Sequence, residues 1–548
     1  MPISSEAQAI RSAGAAVLSI AIQQMFPRAV ITSTDVDDIG FSCEFSYPDT
    51  LDSSILPLVE GQMISLVHQD LELTSSEMVD TNLQEFYRYH GQRDRADYLD
   101  AEGLVVDVVR IGDFLEVVPG PHVDSLRRIK AIKLLSLEID GTFFTVTGVT
   151  FGSKQELKHF TKLAEKAERC DHRRLGRELG LYDTHSGSYF WAPKGQIVRE
   201  LLLDWWRSEL RSEGFQFIST PTLVDEELPS SRASLHAQLF AKKLHSYREL
   251  PIRYAECAPV LDSKGSHDTL GLFRQPVYYS DEQTVVCRKD QVVGLLISSL
   301  QTINKTITLL GLKCRGHRYK RGNAFAGTLA QWDKATRYID EALAAVDSAV
   351  EWQVETPAGL TGPRLEFRFL DALEREWRGP SLCFDFALPE ELGLRYQGKQ
   401  DEMEAPLVLI RTLFGSFERT IALLVEHYAG SLPLWLAPEQ IRVLPVSEEQ
   451  RPYALQVCDT CRKAGLRAEV DERDDRLAAK VFAAEAAKVP FIAIVGEQEA
   501  RGGMVTVRTG QRRQHGDRVS VDSLVALAQT KTKQDRSFFE SQQTDQSS

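Results

Sequence analysis

Between Ile441 and Gly496 the chain alternates apolar runs with helical periods in strict turn: "IRVLPV", "QRPYALQVCDTCRKAG", "RAEVDER", "RLAAKVFAAEAAK" and "PFIAIVG". Short runs rich in β-branched residues, separated by amphipathic segments, bury their apolar faces together only as strands of one sheet with helices laid across it. The pattern predicts a small α/β domain with a largely parallel or mixed sheet. It accounts for a minor part of the 548 residues. A chain of that length divides into about three or four domains of roughly 100 to 200 residues each.

Upstream the texture differs. A helical segment, "RSAGAAVLSIAIQQMF", is followed by alternating runs such as "GFSCEFSY", "LVVDVVRIGDFLEVV" and "TFFTVTGVTF", the mark of an α+β domain over 1–155. The stretch "KQELKHFTKLAEKAERCDHRRLGRELGLY" is helical in period and strongly charged, so 156–182 reads as an exposed linker helix. A second α+β region, 183–434, contains "LCFDFAL" and "APLVLIR" and holds most of the tryptophan. The α/β domain follows over 435–530, after the Pro-punctuated "GSLPLWLAPEQ". The polar tail "KTKQDRSFFESQQTDQSS", 531–548, is expected to be disordered.

The composition is 43% hydrophobic and 26% charged, which excludes a wholly disordered chain. No run of 18 or more apolar residues occurs and no basic-then-apolar leader opens the sequence, so a cytoplasmic protein with no membrane partner is expected. Eight cysteines, scattered from Cys43 to Cys461, do not suggest a disulfide framework. Cys458 and Cys461 have a metal-type spacing but lack a second pair, so they read as ordinary helix residues. With a net charge of -14, any nucleic acid must be met by local basic patches. "KCRGHRYKRG", Lys313 to Gly322, is one such patch, although a solvated loop is the commoner explanation of such a run.

Two constellations carry more. "GQIVRELLLDWWRSELRSEGFQFISTPTLV" is a long helix, a break at Gly214 and a strand ended by Pro221. "LVLIRTLFGSFERTIALLVEHYAG", Leu407 to Gly430, is a strand, a Gly-Ser pair and a helix with Arg419 at the end of its first turn. In that order they resemble motifs 1 and 3 of class II aminoacyl-tRNA synthetases. Further segments, "VVPGPHVDSLRRIKAIKLL", "AERCDHRRLGRELGLY", "HSYRELPIRYAE" and "LWLAPEQIRVLPV", extend a closer resemblance, to bacterial threonyl-tRNA synthetase, over nearly the whole chain. The resemblance implies an α+β multidomain fold: an editing-like α+β domain, a class II catalytic-like domain on an antiparallel sheet, and an anticodon-binding-like α/β domain. It also implies a homodimer formed through motif 1, and tRNA as a partner. It places Arg419 against the adenine of ATP, a cation-π contact, and Arg274 as a second nucleotide-binding arginine. In "GEQEARGGMVTVRTG" it puts Glu499 and Arg508 where anticodon bases are met.

The same resemblance exposes departures. The family holds zinc by one cysteine and two histidines; the matching positions are Ala233, Thr284 and Ile410, none of which suits that metal. The motif 2 arginine that neutralises the α-phosphate becomes Asp262, and the glutamate two residues on becomes Lys264. A pocket tyrosine becomes Thr361, and Arg378, Ser381 and Cys383 replace two glutamines and a threonine. The link "DEELPS" is shortened. In the editing segment Arg11, Ala15 and Val118 replace two histidines and a cysteine, leaving His122. The expectation is a threonyl-tRNA synthetase-like pseudoenzyme that binds tRNA or a genuine synthetase subunit. It would have no zinc, no assignable catalytic residue, and ATP binding left open. The alternatives are a repurposed ATP-dependent carboxylate-activating ligase, with Arg378 and Lys264 pairing an acidic substrate, and an active threonine–tRNA ligase.

Overall fold

The computed structural model describes residues 5–541 except 38, 70, 91, 100–102, 119, 186–187, 222–231, 262–270, 347–349 and 510–515. Asp262, Lys264 and the "DEELPS" link therefore lie outside the described residues. The chain forms two compact units, one of Met1–Lys166 with Leu373–Arg375 and one holding the rest.

In the first unit the helix Ser5–Met25 lies in a core with a four-stranded antiparallel sheet. Its alanines and β-branched residues, Ala13 through Val17 and Ile20 through Ile22, are buried, so this helix is apolar around most of its circumference. A three-stranded antiparallel sheet, Leu73–Val79, Val105–Ile111 and Phe114–Val117, carries the helices Asp80–Tyr89 and Arg93–Tyr98.

The second unit is built on an eight-stranded sheet in the order Gln216–Phe217, Ile252–Leu261, Val277–Cys287, Leu407–Thr412, Glu376–Asp385, Arg364–Leu370, Cys314–Tyr319, Trp352–Glu355. Its interior pairs are antiparallel and the two outermost pairs parallel. Residues of one strand alternate between faces. Val285, Leu409, Leu382 and Phe384 join the large core behind the sheet, whereas Val286, Val408 and Ile410 pack in front with the helix Arg232–Ala241.

Behind the sheet lies the helix Pro193–Ser212, whose stripe Val198, Leu202, Trp205, Trp206 and Leu210 has the three- and four-residue spacing of one helix face. Gly214 ends it at φ 79°, a left-handed conformation that side chains disfavour. The helix Val292–Leu310 is apolar enough by composition to cross a membrane, but Leu296, Leu300 and Ile303 are buried in the same core.

The C-terminal sheet runs Ala468–Val470, Ile441–Pro445, Phe491–Val495, Met504–Thr509, Asp517–Ser520, the first three parallel and the rest antiparallel. It is the mixed sheet that the alternation predicts. Cys458 and Cys461 lie on the buried stripe of the helix Arg451–Lys463, where burial pushes the Cys461 thiol up to about 11. The tail departs from expectation: the helix Val521–Ser541 runs well past 531. Two contacts tie it down, the Leu434 N–H donating to Asp535 at 2.8 Å and Gln440 to Thr532 at 3.4 Å. Residues 542–548 lie outside the described residues.

Candidate functional site

One row of residues crosses the front of the eight-stranded sheet. Tyr254 stands opposite Thr284, Thr284 opposite Ile410, Ile410 opposite Cys383, and Cys383 opposite Arg364. Ala233, on the helix in front, shares the buried cluster of Tyr254 and Ile410. The structure thus brings Ala233, Thr284 and Ile410 together in one buried cluster. They offer a methyl, a hydroxyl and an aliphatic chain, and the hydroxyl is already engaged: Thr284 Oγ1 lies 2.9 Å from His236 Nδ1. Zinc needs deprotonated thiolate, imidazole or carboxylate donors in tetrahedral array, and these three do not fit it.

A polar cluster that sequence reasoning missed fills the space beside them. His236 Nε2 is 3.3 Å from Glu256, which also accepts from Thr220 N–H and Oγ1, both at 2.7 Å, and pairs with Arg232 at 3.6 Å. Arg232 further donates to Thr220 and to the Pro259 carbonyl. Burial works to raise the Glu256 carboxyl, but His236, Thr220 and Arg232 together hold it below its usual range. Directly opposite Glu256 stands Glu282, and here burial wins and raises the carboxyl above the usual range. The only sequence signal was the run of "SLH" after Ala233, which does not disclose its partners.

Farther along the strands sits the arginine cluster. Ser416 caps the helix Phe417–His427 by accepting from the Arg419 N–H, which places Arg419 at the end of the first turn, as the sequence predicts. The Arg419 Nε donates to the Phe273 carbonyl at 3.1 Å, and the guanidinium carbon lies 5.4 Å from the centroid of Trp377. Trp377 in turn stacks on Phe273 with centroids 4.6 Å apart and planes 8° apart. Two contacts therefore fix the plane of this guanidinium. Arg274 follows Phe273 immediately and is exposed.

The turn that carries both residues is clamped from behind. His172 donates or accepts at Nδ1 with Glu426, 2.8 Å away, and its Nε2 receives the Leu272 N–H at 3.1 Å. With Nε2 accepting, Nδ1 must carry the proton. Gly271 is required here, since a Cβ would fall 2.2 Å from His172 Nε2. Asp171, His172 and Glu426 form the only triad of metal-type ligands brought together among the described residues. Both imidazole nitrogens are already committed, so the triad is a structural clamp.

The Gly-Ser junction has an anchor of its own. Asp281, fully buried, accepts hydrogen bonds from the Leu413, Phe414 and Gly415 N–H groups at 2.7, 3.0 and 2.8 Å, from Trp206 Nε1 at 3.1 Å and from Gln283 at 2.8 Å. One carboxylate thereby joins the helix Pro193–Ser212 to the turn before Arg419. Of the remaining pocket substitutions, Arg378 pairs with Glu366 at 3.3 Å, Ser381 bonds Thr412 at 2.9 Å, and burial raises the Cys383 thiol. In the basic patch at 313–322, Arg315 pairs with Glu376 at 2.9 Å and Arg318 with Asp340 at 2.6 Å.

In the first unit Arg11 and Ala15 lie on the helix Ser5–Met25 and Val118 is buried. A Cβ on Gly120 would meet Ser12 Oγ at 3.0 Å, so the turn bearing Val118 and His122 abuts that helix. Burial lowers the His122 imidazole below its ordinary range, opposed by the Val118 backbone. In the C-terminal domain Glu499 accepts from the Gly496 N–H at 3.1 Å and from Thr506 at 3.0 Å. Arg508 lies two residues beyond Thr506 on the strand Met504–Thr509, hence on the same face.

Residues 228–428 match the family model for the class II tRNA synthetase core domain (G, H, P, S and T), and 440–531 that for the anticodon binding domain. A threonine–tRNA ligase of Thermus thermophilus is 34% identical over 87% of this chain and 80% of its own length. This chain belongs to the threonine–tRNA ligase family. A second such ligase, from Symbiobacterium thermophilum, is 30% identical over 94% of the chain and 85% of its own length. Among solved structures, the RNA binding domain of threonyl-tRNA synthetase from Cryptosporidium parvum superposes with a TM-score of 0.61 at 26% identity, covering 66% of this chain and 98% of that one. A putative threonyl-tRNA synthetase from Aeropyrum pernix, at 18% identity and TM-score 0.57, shares the fold.

Proposed function

We propose that this threonine–tRNA ligase family member is a pseudoenzyme: a class II scaffold that binds tRNA, or a genuine synthetase subunit, and does not carry out zinc-dependent threonylation. The reading rests above all on the row Thr284–Ile410–Cys383 beneath Ala233, where an aliphatic chain and a hydroxyl bonded to His236 line the pocket. A pocket that selects threonine over valine by metal coordination of its hydroxyl needs that metal's ligands. The C-terminal domain supports tRNA binding through Glu499 and Arg508, which share one side of the strand Met504–Thr509. Dimerisation through the helix Pro193–Ser212 accords with Phe217, left 38% exposed on the adjoining edge strand.

The test uses the full chain purified in zinc-containing buffer. Metal content is measured by mass spectrometry, threonine attachment by a tRNA charging assay, and tRNA binding by gel shift. The expected result is tRNA binding with neither stoichiometric zinc nor charging; zinc at one per chain together with threonyl-tRNA formation would overturn it.

A second reading, a ligase for another carboxylate, draws on one observation: Arg419 is held rigidly by Phe273 and Trp377, the kind of preorientation that suits a planar base. Pyrophosphate exchange into ATP, screened over many carboxylic acids, separates the two, because a binding protein gives no exchange with any of them.

A further inference from the structure

The helix Asp80–Tyr89 in the first unit ends in an aromatic and cationic cluster that the proposed function leaves unused. Arg110 lies with its guanidinium carbon 5.7 Å from the Phe86 centroid, and on that ring His90 packs at 4.0 Å with its plane tilted by 32°. Arg110 and His90 thus both lie against the Phe86 ring, and His90 is solvent-exposed. Tyr89 stands at the edge of that ring, 5.2 Å away at 74°, and is 88% exposed, the most of any large apolar or aromatic side chain among the described residues.

The imidazole is not loose. Its Nδ1 lies 2.9 Å from the Phe86 carbonyl, which can only accept. Nδ1 therefore carries the proton, and in the neutral ring Nε2 is left as an acceptor. Along the chain Arg88 and Arg93 bracket Tyr89 and His90; Arg93, like Arg110, is in no ion pair among the described residues, and the contact of Arg88 with Asp97 is 3.8 Å long with both side chains at least half exposed. Such a contact holds the arginine weakly.

From this geometry we infer that the surface of Phe86, Tyr89 and His90, flanked by Arg88 and Arg93, binds unpaired RNA bases. A base stacks on the outer face of His90 with Tyr89 as a side wall, and the arginines meet the flanking phosphates. Any base has a π-face, so stacking of this kind tolerates sequence, and an exposed aromatic ring beside cations is its usual platform. In duplex RNA the bases are already stacked and their faces closed, so the surface favours single strands. In a chain of net charge -14, Arg88, Arg93 and Arg110 are the cations that this segment offers to a phosphate. This surface belongs to the first unit, and it stands or falls independently of the tRNA reading given for the C-terminal domain.

The probe is a fluorescein-labelled single-stranded RNA decamer of adenosine and 4-thiouridine, titrated into the full chain by anisotropy at several salt concentrations. The double variant Tyr89→Ala with His90→Ala is expected to weaken binding about 5- to 150-fold. Arg88→Ala with Arg93→Ala should lower the slope of log affinity against log salt by about 1.4, at about 0.7 for each phosphate that is no longer neutralised. All four side chains are exposed, so the fold should persist, and ultraviolet crosslinking of the unsubstituted protein gives an independent reading. Crosslinks on the tryptic peptide 89–93 support the site. Crosslinks confined elsewhere, binding unchanged in both variants, or equal affinity for the duplex of the same sequence would overturn it.

Discussion

Replacing Asp281 by asparagine changes one atom of the side chain and should disconnect the turn before Arg419. The Asp281 carboxylate divides its five hydrogen bonds between two oxygens: Oδ1 takes the Phe414 and Gly415 N–H groups, while Oδ2 takes Leu413 N–H, Trp206 Nε1 and Gln283. An asparagine keeps one oxygen and puts an NH2 in place of the other. In its better orientation the amide nitrogen faces the Phe414 and Gly415 donors, which then have no acceptor. Each buried donor left unsatisfied costs about 1–3 kcal/mol, so the pair costs about 2–6 kcal/mol, before the weaker bonds to a neutral oxygen are counted. Hydrogen exchange at Leu413–Gly415, followed by mass spectrometry on overlapping peptides, reads the local opening directly. At about 1.4 kcal/mol per factor of ten, exchange there should speed up at least about thirtyfold, while peptides of the C-terminal sheet change little. Exchange within about threefold of the unsubstituted protein would show that the anchor is replaceable by water or by backbone adjustment, and the reasoning would be wrong.

Glu256→Gln removes the carboxylate beside buried Arg232 and should destabilise the core by about 3–5 kcal/mol in urea unfolding; a loss below about 1 kcal/mol would mean that Thr220 and Pro259 suffice for Arg232. Trp377→Leu deletes the cation-π contact to Arg419, worth about 0.5–2 kcal/mol. If ATP binds, calorimetry should show affinity falling by about 2- to 30-fold, and an unchanged affinity with Arg419→Ala as control would separate nucleotide binding from this cluster. Burial lowers the His122 imidazole below its unfolded value, so the stability it permits is present above the unfolded pKa, about 6.5, and is lost as pH falls through that value toward the folded one. The first unit should therefore melt at lower temperature on going from about pH 7.5 to about pH 5.5, and His122→Asn should flatten that dependence; an identical slope in the variant would show that other groups govern it.

Periodicity alone carried the C-terminal domain. Its strands are short and β-branched, its helices amphipathic, and both faces of its sheet are covered, so the pattern had one compact solution. The capped helix with Arg419 in its first turn was likewise local, because a Ser-Phe-Glu-Arg run after glycine sets its own N-cap. The helical stretch from 531 to 541 is not legible in composition, which reports only what a segment can bury by itself, whereas Asp535 and Thr532 are held by Leu434 and Gln440, roughly a hundred residues away.

The pocket could not be derived from the chain by itself. Ala233, Thr284 and Ile410 are far apart in sequence: strand register sets Thr284 beside Ile410, and Ala233 joins them only because its helix packs on that face of the sheet, while the same register sets Cys383 beside Ile410 and Glu256 against Glu282. Asp281 reads as one acidic residue on an alternating strand until tertiary packing aims three backbone N–H groups at it. The physical reason is range: sequence encodes the torsional preferences and apolar faces of neighbours a few residues apart, while partners for buried charge are chosen by which strands and turns are packed together.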